Sequence, residues 1–171
     1  MRLFIAIELN ETLQGALTEV QNALRLRGVG GNYTKIENLH LTLAFIGEYS
    51  DPDSVLEVMR TVPFRPFPLR LEGFGSFGDL YWCGISGQTE LTAYVRRLRH
   101  ALAEMDIPFD RKRFSPHITL LRKAVCRGKM PGVTMPEAGM EVTRISLMRS
   151  DRGKTGMIYT ELGAVFAEEP T

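Results

Sequence analysis

The chain has 171 residues, of which 44% are hydrophobic and 24% are charged, and its formal net charge is +1. Its length suits one domain, or two small lobes that share a core, and its composition is typical of a soluble globular protein. A net charge so close to zero excludes a strong overall field that would draw the protein to long nucleic acid or to an anionic membrane. The apolar run at the N-terminus is too short for a signal peptide or a membrane span, so a cytoplasmic location is expected.

Positive charge is concentrated in one stretch of the chain. Between Arg96 and Lys129 there are ten Lys or Arg against three Asp or Glu. Such a stretch forms a solvated face in many proteins, but a local basic surface also suits a site that binds a phosphate or the end of a nucleic acid. Charge alone leaves both interpretations open.

The two cysteines exclude a cysteine-based framework. Cys83 and Cys126 are too few and too far apart for a disulfide network or a zinc site. Cys83 lies in an apolar run and is expected to pack as a small hydrophobic residue. No metal and no cofactor is expected.

Apolar periodicity and capping residues predict strands and helices along the whole chain. Leu3 to Glu8 is expected to form a buried strand, Asn10 to cap the helix that follows, and Gly28 to Gly31 to form a flexible loop. Asp51 and Pro52 mark the start of a short helix that ends near Thr61. The other predicted elements are strands at 39–46, 69–74, 80–85, 114–121, 141–148 and 157–165, of which the last two form a hairpin, and a helix at 90–105.

The order strand, helix, strand occurs in both halves of the chain and ends each time in a similar phrase. The phrases are His40-Leu41-Thr42-Leu43 and His117-Ile118-Thr119-Leu120, and they contain two of the three histidines. Because residues two apart in a strand face the same side, each phrase presents an imidazole beside a hydroxyl. The repeat predicts two similar lobes, related by a rough two-fold, whose His-Thr faces meet across one cleft.

Simple alternation divides the first motif strand into two faces. The face that carries the histidine is expected to be formed by His40, Thr42, Ala44 and Ile46, and the opposite face by Leu39, Leu41, Leu43 and Phe45.

Paired histidines and threonines suit displacement at phosphorus. One neutral imidazole can accept a proton from water while a protonated one gives a proton to the leaving oxygen, and histidine titrates in the range that permits both roles. The two hydroxyls can donate to the non-bridging phosphate oxygens. The pattern therefore predicts acid–base chemistry on a phosphate, and it does not require a metal.

Other interpretations of the histidines are weaker. A single His-x-Thr in a strand is usually structural, but two copies on alternating apolar strands favour function. Two imidazoles without nearby carboxylates or thiolates make an incomplete metal site. The third histidine, His100, lies on the polar side of its helix near Arg97 and Glu104, which indicates a surface residue.

Three segments together resemble a known family. Arg2–Ile7, Glu37–Gly47 and Phe114–Arg122 are similar to the two-histidine (2H) phosphoesterases, and in particular to the bacterial and archaeal RNA 2′,3′-cyclic phosphodiesterases, historically called 2′-5′ RNA ligases. The resemblance implies an α+β fold with two lobes of antiparallel sheet around a central cleft, formed by one domain over residues 1–171.

The resemblance also implies roles for the motif residues. It implies that a 2′,3′-cyclic phosphate at an RNA end is opened to a 2′-phosphate without a metal. His40 matches the proton donor to the leaving O3′, and His117 matches the proton acceptor that activates water. Thr42 and Thr119 match the phosphate-binding hydroxyls. The symmetry of the two phrases by itself leaves the donor and the acceptor unassigned.

Four further residues are candidate contacts to RNA. Tyr33 occupies a position where relatives often have Trp, and its ring could equally stack on a base or pack within the fold. Arg111 and Arg113 could reach RNA phosphates. Arg122 follows the second phrase where the family often has Arg, but simple alternation places it opposite His117, so phosphate contact requires a bulge or a long reach.

The expected partners are RNA 3′ ends or nucleotides that carry a 2′,3′-cyclic phosphate, and the protein is expected to act as a monomer away from membranes. Three alternatives stay open. The same chemistry run backward would ligate an RNA 5′-hydroxyl. A phosphodiesterase could act on a small 2′-5′-linked or cyclic nucleotide. A module of another class could bind nucleotides or RNA ends without turnover, although mere binding does not need two titratable groups.

Overall fold

Nine strands and three α-helices account for most of the residues described in the computed structural model, which are 1–87 and 89–169. The strands are β1 (Arg2–Glu8), β2 (Gly30–Tyr33), β3 (His40–Glu48), β4 (Phe67–Phe77), β5 (Leu80–Ser86), β6 (His117–Val125), β7 (Gly139–Val142), β8 (Arg144–Gly153) and β9 (Gly156–Phe166). The α-helices are α1 (Glu11–Leu26), α2 (Pro52–Arg60) and α3 (Thr89–Glu104), and a 3-10 turn covers Ile36–Asn38.

The strands form two antiparallel sheets, which confirms the predicted α+β fold class. Sheet A has the strand order β3-β1-β8-β9, and sheet B has the order β2-β6-β5-β4-β7. In each sheet a motif strand, β3 or β6, pairs with the strand that precedes it by one long helix, β1 or β5. The two halves of the chain therefore build matching strand pairs, as the repeated phrase predicts.

Local sequence explains the central strand and the helix starts. β1 is apolar from Leu3 to Ile7 because it lies between β3 and β8 and is buried on both faces. The side chain of Asn10 accepts a hydrogen bond from the amide of Leu13 at the start of α1, as predicted. Asp51 caps α2 in the same way through the amide of Ser54.

Each of the two long helices packs against the sheet that contains the motif strand of the other half of the chain. α1, which belongs to the first half of the chain, contacts β6 and β7 of sheet B, whereas α3 contacts β3 of sheet A. α2 contacts β8, β9 and α3. None of the helices among the described residues is long and apolar enough to cross a membrane.

A bulge in β3 overturns part of the predicted alternation. The pairing with β1 shifts by one residue between Thr42 and Ala44, so that Leu43 is the extra residue. Leu43 and Ala44 are consequently both buried, and Phe45 turns to the face of His40. The prediction for Ala44, Ile46 and Phe45 was wrong because an extra residue reverses the order of the faces beyond it.

β6 has a bulge at the matching place. Its pairing with β5 shifts between Thr119 and Leu121, and Leu120 is the extra residue. Arg122 therefore lies on the same face as His117 and Thr119 rather than on the opposite face that simple alternation predicts. The sequence indicated that Arg122 could contact a phosphate only if β6 contained a bulge or the side chain had a long reach, and this bulge is present.

Three other boundaries differ from the sequence predictions. The expected flexible loop at 28–31 was wrong for Gly30 and Gly31, which form the start of β2 and pair with β6. A Cβ on Gly31 would approach the carbonyl oxygens of Arg122 and Lys123 to 2.9 Å. The expected strand at 141–148 is two strands in different sheets, since the chain changes sheet at Thr143. The second motif strand starts at His117 rather than at 114 and continues to Val125. Strand partners far away in sequence decided each of these differences.

Candidate active site

The imidazoles of His40 and His117 are held in the same way. Nδ1 of His40 lies 2.7 Å from the carbonyl oxygen of Asn38, and Nδ1 of His117 lies 2.7 Å from the carbonyl oxygen of Ser115. A carbonyl oxygen can only accept, so Nδ1 carries a proton in both rings. Each neutral ring therefore presents the lone pair of Nε2, which is the atom available for proton transfer.

The hydroxyl of Thr42 is the hydrogen-bond partner of Nε2 of His40. The two atoms lie 2.8 Å apart, as the shared face of the two residues predicts. When the ring is neutral, the hydroxyl donates to Nε2. When the ring is protonated, Nε2–H donates to the hydroxyl oxygen, and the hydroxyl proton becomes available to another acceptor.

Each histidine also lies against two aromatic rings that no sequence motif indicated. The His40 ring is 5.1 Å from Phe4 and 5.2 Å from Tyr159, and the His117 ring is 5.2 Å from Phe77 and 6.5 Å from Trp82. The four aromatic residues come from β1, β9, β4 and β5, so only the strand order brings them to the motifs.

Arg122 lies close enough to His40 to act on its charge. Burial lowers the pKa of His40 below its ordinary value, the hydrogen bond to Asn38 opposes this, and the positive charges of Arg122 and His117 lower the pKa further. The guanidinium of Arg122 forms no ion pair with any residue that the structure describes. The two motif strands therefore face one another across a cationic cleft suited to an anion.

A cavity of about 490 Å³ lies next to His40, separated from it by Asn38 and Tyr159, which line the cavity and contact the His40 ring. Arg122 and Tyr33 line it together with Lys35 and Tyr159. The guanidinium of Arg25 lies 4.1 Å from the centroid of the Tyr33 ring, and the Tyr33 hydroxyl donates to the carbonyl oxygen of Val29. Tyr33 thus borders the cleft, but one face of its ring is covered.

The other candidate arginines lie elsewhere. Arg113 lines a second cavity, of about 530 Å³, together with Trp82 and Ser115 near the start of β6. The guanidinium of Arg111 lies 4.8 Å above the ring of Phe109. The structure therefore places Arg122 near His40, and it places Arg113 at a cavity of which two other lining residues, Trp82 and Ser115, contact His117.

The remaining candidates for metal chemistry or redox chemistry lie outside the cleft. Among residues 1–87 and 89–169 there is no group of three His, Cys, Asp or Glu side chains that could hold a metal ion. His100 is exposed on α3 and lies 3.0 Å from a carboxylate oxygen of Glu104. Cys83 is fully buried, as predicted, and its burial raises the pKa of the thiol to about 12.

The lowered pKa of His40 predicts a pH-dependent stability that His40→Gln removes. The unfolded chain binds a proton near pH 6.5 that the folded protein resists. The contribution of neutral His40 is therefore complete above about pH 6.5 and is lost as the pH falls toward the folded pKa, with a slope of at most about 1.4 kcal/mol per pH unit. Urea unfolding of the parent, His40→Gln and the surface control His100→Gln between pH 7 and pH 5 measures this. Equal pH dependence in all three would contradict the expected burial of His40.

Comparison with known proteins identifies the family of this chain. A family model described as the 2′-5′ RNA ligase superfamily matches residues 11–154. The chain belongs to the 2′-5′ RNA ligase superfamily. Curated relatives in this superfamily include a protein from Thermotoga maritima, named RNA 2′,3′-cyclic phosphodiesterase, which is 31% identical over 95% of this chain and 93% of its own length. A protein of the same name from Thermus thermophilus is 32% identical over 95% of this chain and 88% of its own length.

Solved structures agree with this assignment. Protein TT0787 of Thermus thermophilus has a TM-score of 0.80 and 30% identity, with 99% of this chain and 100% of that chain covered. LigT of E. coli has a TM-score of 0.81 and 26% identity, with 98% of both chains covered. LigT has also been crystallised with 3′-AMP and with phosphate. The two-sheet fold of this chain is thus the fold of superfamily members over nearly its whole length.

Proposed function

We propose that the protein hydrolyses 2′,3′-cyclic phosphate ends of RNA to 2′-phosphates, with His40 as the proton donor and His117 as the proton acceptor. The observation that carries the proposal is the matched geometry of the two rings. Both Nδ1 atoms are held by backbone carbonyls, which leaves Nε2 of each ring for proton transfer, and the charges of Arg122 and His117 both act on His40. The names of the curated relatives support RNA cyclic phosphates as the substrate class.

In the proposed reaction, water attacks phosphorus opposite O3′. His117 accepts a proton from the water through Nε2 as the new P–O bond forms. The bond between phosphorus and O3′ breaks, and the leaving oxygen receives the proton from Nε2 of His40. The product carries a 2′-phosphate and a 3′-hydroxyl, and the two rings exchange their protons with solvent before the next turnover.

Substrate binding would prepare His40 for its role. The lowered pKa of His40 favours the neutral ring, which cannot donate a proton from Nε2. A bound phosphate brings a negative charge beside Arg122, which offsets the arginine charge and favours protonation of His40. Protonated His40 no longer accepts a hydrogen bond at Nε2, so its Nε2–H can point to the leaving O3′ while the Thr42 hydroxyl is free to donate to a non-bridging phosphate oxygen. Thr119 occupies the matching position on β6 and has the same role for the other oxygen.

The cavity beside His40 is the proposed place of the nucleoside that carries the cyclic phosphate. Its lining combines cationic groups, Lys35 and Arg122, with the ring of Tyr159. Cationic and aromatic groups together suit single-stranded RNA. Every side chain in the proposed mechanism comes from one chain, which supports action as a monomer.

A short RNA that ends in a 2′,3′-cyclic phosphate tests the proposed function. We expect hydrolysis to continue in excess EDTA, because no step uses a metal, and we expect the product to carry its phosphate on O2′. Phosphorus NMR or chromatography against 2′- and 3′-phosphate standards identifies the product. The pH–rate profile is expected to be bell-shaped, because one histidine must be protonated and the other neutral.

Specific outcomes would contradict parts of the proposal. Loss of activity in EDTA, followed by recovery with a divalent cation, would contradict the metal-independent mechanism. A 3′-phosphate product would make O2′ the leaving group. Binding of the RNA end without any turnover would favour a binding module, and joining of a 5′-hydroxyl RNA in place of hydrolysis would favour a ligase.

A further inference from the structure

Gln21 is a polar side chain on the apolar face of α1. It is 3% exposed, and its Nε2 donates to the carbonyl oxygen of Leu120 and to that of Thr34, each at 2.9 Å. Leu120 is the bulge residue of β6, and Thr34 belongs to the segment that leads into the His40 strand. Gln21 therefore ties the bulge of one motif strand to the approach segment of the other.

Arg99 on α3 makes the reciprocal connection. Its Nη2 donates to the carbonyl oxygen of Leu43 at 3.1 Å, and its Nη1 donates to the carbonyl oxygen of Lys112 at 2.7 Å. Leu43 is the bulge residue of β3, and Lys112 belongs to the segment that leads into the His117 strand. The ring faces of Phe109 and Phe114 lie within 5.8 Å of the same guanidinium.

The two connections are related by the internal repeat. Gln21 and Arg99 occupy the same position in two helices of 16 residues, α1 and α3. Each helix packs against the motif strand of the opposite half, so each side chain crosses from its own half to the other. A bulge leaves a carbonyl outside the regular ladder, and a buried carbonyl needs a donor. Arg99 supplies such a donor to Leu43, and Gln21 supplies a second donor to Leu120, whose carbonyl oxygen also accepts from the backbone amide of Thr34 at 2.9 Å.

We propose that Gln21 and Arg99 are positioning residues that set the two motif strands against each other and hold the bulges that shape the cleft. This inference rests on the proposed function. The bulge of β6 turns Arg122 toward the histidines, and the bulge of β3 turns Phe45 toward Phe4 beneath His40, with ring centroids 6.2 Å apart. Gln21 thus acts on the reaction through Arg122, and Arg99 acts through the His40 strand.

Substitution of Gln21 tests the first connection. Methionine has a similar length but no donor, so Gln21→Met is expected to lower kcat about 10- to 100-fold with a smaller change in KM, because small displacements of catalytic groups carry large rate penalties. If Gln21 acts through Arg122, the same substitution made in Arg122→Ala should have little further effect on kcat. Equal effects of Gln21→Met in both backgrounds would overturn this role.

Substitution of Arg99 tests the second connection. Arg99→Met is expected to lower kcat as strongly, and Arg99→Lys to retain part of the activity, because an ammonium group lacks the rigid fork that reaches two carbonyls. Arg96→Met is the matched control, since Arg96 is an exposed arginine on the same helix. A loss of kcat in Arg96→Met as large as in Arg99→Met would overturn the proposal.

A measurement without turnover separates this inference from the proposed function. Gln21→Met should release Arg122 from its place beside His40, which raises the pKa of His40 in an NMR titration of the ring. An inactive parent whose His40 titration still responds to Gln21→Met would contradict the hydrolase and keep the positioning role. Variants that lose stability while kcat stays within about twofold and the titration is unchanged would make both residues merely structural.

Discussion

Removal of either motif histidine is expected to abolish most of the activity. His40→Ala and His117→Ala should each lower kcat about 10²- to 10⁴-fold on a cyclic-phosphate RNA, because each removes one proton-transfer group. The two variants differ in the limb of the pH–rate profile that they remove. If His40 is the donor, His40→Ala loses the decline at high pH, where the donor is deprotonated. His117→Ala loses the decline at low pH, where the acceptor is protonated.

His100→Ala is the control for both variants. His100 is exposed and pairs with Glu104 on the surface of α3, so its removal should leave kcat and KM unchanged. A double variant that lacks both motif histidines should be little worse than either single variant, because the two rings act as one unit. Activity within tenfold of the parent in either single variant would contradict the acid–base pair.

Arg122→Ala is expected to have the second largest effect. Arg122 forms no ion pair with the described residues and lies beside His40, so its charge is available to the phosphate. Loss of a charge-stabilising group in such a site costs about 10²- to 10³-fold in rate. Arg122→Lys should recover only part of this, because lysine cannot contact two phosphate oxygens with a planar fork.

The same variant should change the titration of His40. Because the charge of Arg122 lowers the pKa of His40, Arg122→Ala should raise that pKa and move the high-pH limb of the rate profile upward. Arg65→Ala removes an exposed arginine between α2 and β4 and should change neither quantity. An Arg122→Ala enzyme with the activity and pH profile of the parent would place the phosphate elsewhere.

Helix caps and apolar strands could be predicted from the sequence because they depend on residues that are close together in the chain. Asn10 and Asp51 cap their helices as predicted, and the buried face of α1 follows from helical spacing. The sequence also contained one signal that none of the predictions used. Gln21 interrupts the apolar face between Leu17 and Leu24, and a buried amide at such a position needs carbonyl partners.

The bulges and the strand order could not be predicted from the sequence, because they depend on pairing between segments that are far apart in the chain. Nothing in the sequence around Leu43 or Leu120 marks an extra residue, yet each bulge exchanges the faces of the residues that follow it, as far as the next irregularity in the strand. Sheet order likewise brought Tyr159 to His40 and Trp82 to His117. For this reason the aromatic surroundings of both rings and the true face of Arg122 were absent from the predictions.

The sequence by itself determined which residues are the candidates for the chemistry of this protein: a repeated His-x-Thr phrase pairs imidazole with hydroxyl on any extended strand, since alternation is a local property of the backbone. Only the tertiary structure decided what surrounds these pairs. It aligned both Nδ1 atoms on backbone carbonyls, turned Arg122 into the cleft, and connected the two strands through Gln21 and Arg99. These features come from contacts between residues far apart in the chain, which no local pattern encodes.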